Sequence, residues 1–364
     1  MFKRLWQSLL KCDALLLFSI YTLTLIGIMA VASASIEPAL RFKVPEYYFL
    51  IKHLIAVFAG IAIFLAIINV KVPFYRSAVF LFLVNLLVLS LLVLVLFLPA
   101  RHGVHRWIPL KYFSLQPSEF AKLIVVLTLA AMVSKKEFFE GKGKYLSIVY
   151  VLLYATLIIL EPDYGSGVFL LLLSFLILYV GGMKLRSALL FGAGGVVFVS
   201  FMVFYRGSSY VIERIQLFLK GPDLQYQVRQ SLAALGSGGL FGVSPGESIQ
   251  KLLFLPEAYT DFIFSIIGEE FGFIGTSFII FLFLLFLWRG YRVAVKSREA
   301  YFSLLAFGLT SSIFLQALIN ISVVVGVFPP KGIALPFLSY GGSSTLTSFA
   351  IAGILMHVWI RRRS

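Results

Sequence analysis

The chain is a succession of long apolar runs separated by short polar stretches. Hydrocarbon offers no water to backbone N–H and C=O groups, so the expected spanning unit is a helix of roughly 20 mostly apolar residues. Ten such runs are predicted, at 14–35, 48–69, 75–98, 118–134, 145–160, 165–182, 187–205, 262–287, 302–326 and 335–359. The fourth and fifth are short and lean on polar ends. The first ends in Val31-Ala-Ser-Ala-Ser35, whose small residues resemble a signal-peptidase site. Its apolar core exceeds the roughly 7–15 residues of a secretory signal, so it is expected to stay as an anchor. The predicted fold class is an all-α polytopic membrane protein, one transmembrane domain over 1–364.

One connection departs from the rest. Residues 206–261 separate the seventh and eighth runs, a length that marks functional or disordered loops, and this one is not low-complexity. Val211, Ile212, Ile215, Phe218 and Leu219 recur at helical spacing, with Glu213, Arg214, Gln216 and Lys220 between them. That pattern predicts an amphipathic helix lying on the membrane surface. A helix-compatible run, Tyr226 to Leu235, and a glycine-rich turn, Gly236 to Gly242, follow.

Composition agrees: of 364 residues 60% are apolar and 13% charged, and the mean hydropathy is +0.98. That excludes a soluble enzyme, a nucleic-acid-binding module and a disordered chain. Cys12 is the only cysteine, which excludes intrachain disulfides and cysteine-based metal sites. The net charge of +15 has to be sorted by side before it says anything about partners. With the N-terminus inside, 18 of the 31 Lys and Arg residues fall in inner segments, among them Lys3, Arg4, Lys71, Lys136 and Arg289 to Arg298. Acids gather outside. The bias predicts both termini in the cytoplasm, with 206–261 as one long extracytoplasmic loop.

Ionisable groups at membrane depth are costly unless paired or hydrated, so each is a candidate for function. The fourth run opens Gln116-Pro-Ser-Glu-Phe-Ala-Lys122, placing Glu119 and Lys122 on one helical face. They read either as a neutralised structural pair or as an ion pair lining a polar cavity. Before it stands an outer basic cluster, Arg101 to Trp107 with Lys111, whose Arg106 fork suits phosphate oxygens. Lys52 could join it or snorkel to the interface. Asp163 sits in a turn where capping the next helix is the default. At Asp261, where the long loop meets a very apolar helix, an N-cap role competes with that of a general base whose pKa burial would raise. Glu269 and Glu270 are expected to hold the bundle together. The stretch Val327 to Ser344, rich in Pro, Gly and Ser with Lys331 as its one charge, predicts a broken or re-entrant element lining a polar cavity. Gln316 and Asn320 share a face of the preceding span. The four histidines are scattered, and neither a metal-ligand signature nor a nucleotide-binding glycine motif is present.

Together these segments resemble the SEDS family of ten-span peptidoglycan polymerases over most of the chain. The resemblance rests on Arg106-Trp107, Gln116 to Lys122, Pro162-Asp-Tyr-Gly165, Gln230 to Gly242, Leu255-Pro-Glu-Ala-Tyr-Thr-Asp-Phe-Ile-Phe264, Gly268-Glu-Glu270 and Leu335 to Ser344. Gln250-Lys-Leu and Pro330-Lys-Gly332 look like the division-type branch more than the elongation-type one. Two positions depart from the family pattern: Tyr259 stands where histidine is common, and His105 where an arginine often precedes Arg-Trp.

The resemblance implies a glycosyltransferase that joins lipid II into β-1,4 glycan with inversion, on the outer face of the bacterial cytoplasmic membrane at the division septum. Asp261 would be the general base. Lys52, Arg106, Glu119, Lys122 and Lys331 would bind substrate or its diphosphate, supported by Asp163, Arg214, Gln316, Asn320 and Ser339. Undecaprenyl diphosphate would leave, so no nucleotide cofactor is implied, although a divalent cation, Mg or Mn, is compatible. Implied partners are a class B penicillin-binding protein (a transpeptidase) and other divisome membrane proteins, with no nucleic acid. A lipid II flippase, an elongation-type polymerase and a scaffold for a transpeptidase are the alternatives.

Overall fold

The computed structural model describes residues 8–70, 73–99, 105–109, 114–135, 138–139, 141–207, 209–221, 225–252 and 254–362. Arg101, His102 and Lys111 of the predicted basic cluster, and Lys3, Arg4, Lys71, Lys136 and Arg363 of the inner charges, lie outside these. The chain runs through α1 (Ala14–Ala34), α2 (Ile36–Arg41), α3 (Tyr48–Ile68), a single turn at Phe74–Arg76 and α4 (Ala78–Leu96). A two-residue antiparallel pair, β1 (Ile108–Pro109) and β2 (Ser114–Leu115), leads into α5 (Pro117–Val133). Then come α6 (Gly143–Leu160), α7 (Tyr164–Val180), α8 (Leu185–Tyr205), α9 (Ser209–Lys220), α10 (Tyr226–Ser237), α11 (Ile263–Lys296), α12 (Ala300–Val324) and α13 (Gly342–Arg361).

Among the described residues eight helices are long and apolar enough to cross a membrane: α1, α3, α4, α6, α8, α11, α12 and α13. The other two predicted spans form α5 and α7, each 17 residues long. Pro117 in the first turn of α5 needs no backbone donor there. α5, α12 and α13 form the centre, while α4 and α8 turn large side chains such as Phe82, Leu86, Leu190 and Phe204 outward. Lipid tails are as apolar as leucine, so helices here associate through close packing and polar ties. Gly60 of α3 lies against the Phe349 ring, and Gly353 of α13 faces Phe64 and Ile67, letting those two helices approach closely.

Three boundaries differ from expectation by more than two residues. The third span begins at Ala78 because Phe74–Arg76 is a separate turn. α11 continues nine residues past the predicted 287, its basic end held where Arg289 grips the buried Asp13 carboxylate. The last helix starts at Gly342, not 335, because Leu335 to Gly341 is non-helical.

α11 is broken at Gly272, which has a left-handed φ of 66°. The break frees backbone groups, and the glycine turn of the long loop takes them up. Val243 and Ser244 N–H donate to the carbonyls of Glu269 and Glu270, at 3.0 and 3.3 Å. Phe273 and Ile274 N–H donate to Gly239 and Leu240 carbonyls, at 2.9 and 3.2 Å. A Cβ on Gly272 would stand 2.5 Å from Gly242 N and from Leu240 O, so the positive φ and the close approach both call for glycine.

Candidate functional site

Asp261 immediately precedes α11 but does not cap it: Phe262 occupies the N-cap, with no side-chain capping bond. The half-buried Asp261 carboxylate instead lies against Gly332, where a Cβ would come within 3.0 Å of its Oδ2. Among the described residues no hydrogen-bond donor reaches that carboxylate. Of the two roles left open by the sequence, capping is therefore excluded by geometry.

The chain from Val325 to Gly341 is irregular, and polar side chains rather than a backbone ladder hold it. Asn320 Nδ2 donates to the carbonyls of Asp261 and Ile333, both at 2.7 Å. Gln316 Nε2 donates to Ala334 O at 2.9 Å, and Leu335 N–H to Ser339 Oγ at 2.7 Å. Tyr340 N–H reaches Tyr259 O at 3.0 Å. From the surface helix α9, Arg214 Nη1 donates to Pro330 O at 2.9 Å. The amides of Gln316 and Asn320 thus fix Asp261 and Lys331 to one scaffold.

Asp163 caps α7, accepting from Ser166 N–H at 3.1 Å and from Gln116 Nε2 at 3.3 Å. Ser118 Oγ stands 3.5 Å from Oδ2, the oxygen Gln116 uses, and Arg106 Nη1 4.0 Å from Oδ1, the oxygen Ser166 uses. Arg106 spends its remaining donors on backbone, bonding the carbonyls of Glu161 and Pro162. Arg206, which closes α8, bonds the preceding carbonyls, Ile159 and Leu160. Two guanidiniums therefore bond four consecutive carbonyls, the last two of α6 and the two that follow it, at a helix end whose dipole favours cations. The Lys331 stem lies across Gly165, occupying the place of a Cβ.

Lys122 is buried on α5 between Glu119 Oε1 at 2.7 Å and Gln316 Oε1 at 2.8 Å, above the Phe169 ring. Gln316 thereby joins the Glu119–Lys122 pair to the 325–341 segment. Lys52 makes its contacts within α3, donating to Tyr48 Oη at 2.5 Å and sitting 4.3 Å from that ring. The structure brings Arg106, Asp163, Arg214, Asp261, Lys331, Gln316, Asn320, Lys122 and Glu119 to one end of the bundle, where Phe49 and His53, the neighbours of Lys52 on α3, meet the rings of Tyr259 and Tyr340.

Burial pushes the Asp261 carboxyl up to about 7, with Glu257 adding to the rise and Arg106 opposing it. Burial lowers Lys331 to about 8, against the pull of Asp163. Glu161 was not singled out in the sequence. It is fully buried beside this cluster, and among the described residues its carboxyl oxygens have no hydrogen-bond partner. Burial, then Asp163, raises its pKa to about 9. A charged residue one position past an apolar run was the available signal, as it was for Arg206. The arrangement offers a carboxyl near its titration midpoint at neutral pH, beside cations able to offset an anionic group.

Two further carboxylates brace the long loop. Glu269 accepts from Ser248 and from the N–H groups of Ile249 (3.1 Å) and Gln250 (3.3 Å). Glu270 pairs with Lys251 at 3.1 Å and accepts from Ser33 of α1.

Comparison with known proteins places the chain. A family model described as a cell cycle protein, covering FtsW, RodA and SpoVE, matches residues 13–364. A probable peptidoglycan glycosyltransferase FtsW of Trichlorobacter lovleyi is 37% identical, covering 96% of this chain and 93% of that one. Stage V sporulation protein E of Bacillus subtilis is 38% identical, covering 95% and 96%. In fold, the chain superposes with a TM-score of 0.79 on a chain of a peptidoglycan synthase complex that coordinates polymerization and crosslinking, 24% identical over 96% of this chain and 98% of that one. The rod shape determining protein RodA of Thermus thermophilus superposes at 0.70, 24% identical over 97% and 98%. The chain belongs to the FtsW, RodA and SpoVE family.

Proposed function

We propose that this protein is a peptidoglycan glycosyltransferase that polymerises lipid II on the outer face of the bacterial cytoplasmic membrane. In this reading α5 and α7 complete ten spans, both termini are cytoplasmic, and the end carrying Asp261 faces outward. The observation that carries it is the uncapped Asp261 carboxyl, raised to about 7, set among Arg106, Lys331 and Arg214 at one end of an apolar bundle. Asp261 takes the proton from the acceptor's sugar hydroxyl as that oxygen attacks the donor's anomeric carbon. The bond to undecaprenyl diphosphate breaks, its electron pair leaves with the diphosphate, and the anomeric centre inverts. Lys331, Arg106 and Lys122 offset the diphosphate charge. Among the described residues no three His, Cys, Asp or Glu side chains converge to hold a metal ion, so no step is assigned to a divalent cation.

The naming of its relatives as FtsW supports a septal role, with a class B penicillin-binding protein and other divisome proteins as partners. Purified with such a partner, the protein is expected to polymerise lipid II. Asp261→Asn should abolish polymerisation while leaving thermal unfolding and partner binding unchanged. Undiminished polymer from that variant would remove Asp261 from the reaction.

A further inference from the structure

At the opposite end of the bundle, a cavity of about 420 Å³ opens where the α11–α12 turn meets the last turn of α13. Its lining is Ser297, Arg298, Glu299, Phe302, Val358, Arg361 and Arg362. The single acid is already engaged, since Glu299 pairs with Arg76 at 2.5 Å. Among the described residues no other acid lines the cavity, and Arg298, Arg361 and Arg362 share it. The Arg361 guanidinium lies 5.6 Å from the Phe302 ring, and Arg76 lies 5.8 Å from the same ring. Stacking uses the face of a guanidinium and leaves its edge N–H donors pointing outward. Basic residues at the cytoplasmic end of a span ordinarily extend singly into water. Here Arg361 and Arg362 are half-buried and converge with Arg298 over an apolar floor of Phe302 and Val358.

We propose that this cavity binds a phosphate group at the level of the lipid headgroups, the phosphodiester of an anionic phospholipid. The guanidinium edges fit phosphate oxygens, and the Phe302–Val358 floor fits the glycerol and upper acyl carbons. Neither the site around Asp261 nor the proposed reaction uses these residues, so the inference stands apart from both.

The test uses the whole protein in nanodiscs of phosphatidylcholine doped with cardiolipin. Both leaflets carry the probe, so the result does not depend on orientation. Native mass spectrometry after extraction reads the cardiolipin retained. Arg298→Gln combined with Arg361→Gln should lower retention about fivefold for each arginine removed. Arg186→Gln, an exposed arginine at the same end, should leave it unchanged. Arg361→Lys keeps the charge and loses the fork, and an intermediate retention is expected; it carries the test if the double variant fails to fold. If cardiolipin is not retained but inorganic phosphate raises the unfolding temperature of wild type and not of the variants, the phosphate is drawn from solution and the site stands. Retention equal in wild type and variants, or falling equally in Arg186→Gln, overturns the proposal.

Discussion

Burial acts on Asp261 and Lys331 in opposite senses, lifting the acid to about 7 and lowering the amine to about 8. The basic form of Asp261 is gained as pH rises through the first value, and the cationic form of Lys331 is lost as pH rises through the second. Polymerisation is therefore expected to follow a narrow bell in pH. Lys331→Arg, which stays charged, should remove the alkaline limb and leave the acid limb; an alkaline limb that stays in place would assign it to another group. Lys122→Ala would strand the Glu119 carboxylate inside the bundle, at a cost of about 3–5 kcal/mol. Thermal unfolding in detergent should show that loss, and Glu119→Gln with Lys122→Met should recover much of it. Charge in apolar sequence stands out, so Glu119, Lys122, Asp261 and Lys331 were identifiable one at a time. Their partners were not. That Arg106 and Arg206 share the carbonyls ending α6 depends on contacts 46 to 56 residues apart, and that Lys52 turns to its own Tyr48 is a rotamer choice.

Among elements, spans were legible because lipid imposes a length and an apolar composition without requiring a period. Ends were less so. Lys and Arg continue α11 beyond hydrocarbon as readily as they end it, and prolines mark the 325–341 break without showing where α13 resumes. The Gly272 break was invisible, since a lone glycine in an apolar helix is ordinary. Its significance is tertiary: the glycine turn of the long loop is bonded to it through backbone atoms on both sides. Gly272→Ala should separate loop from helix. Limited proteolysis is expected to cut within 236–252 in that variant and to spare the parent, and equal resistance would show that the docking survives.

Across the whole molecule the charged side chains gather at two ends. Asp261, Arg106, Asp163, Arg206 and Lys331 share one, while Asp13, Arg289, Arg76, Glu299 and Arg361 share the other. The orientation of those ends is testable by labelling in a Cys12→Ser background. Glu247→Cys should react with an impermeant maleimide on intact cells, and Gly141→Cys only after permeabilisation; the reverse pattern would invert the molecule and place Asp261 in the cytoplasm. At the Asp261 end, the side-chain ties from Gln316, Asn320 and Ser339 that hold the 325–341 segment are neutral amides and hydroxyls. A formal charge moved across the membrane couples to its potential by about 2.3 kcal/mol per 100 mV, whereas exchanging these bonds moves none. Exchanging those ties alone is therefore insulated from voltage, whereas displacing the segment would carry the Lys331 ammonium with it and couple the shape of the site to the cell's membrane potential.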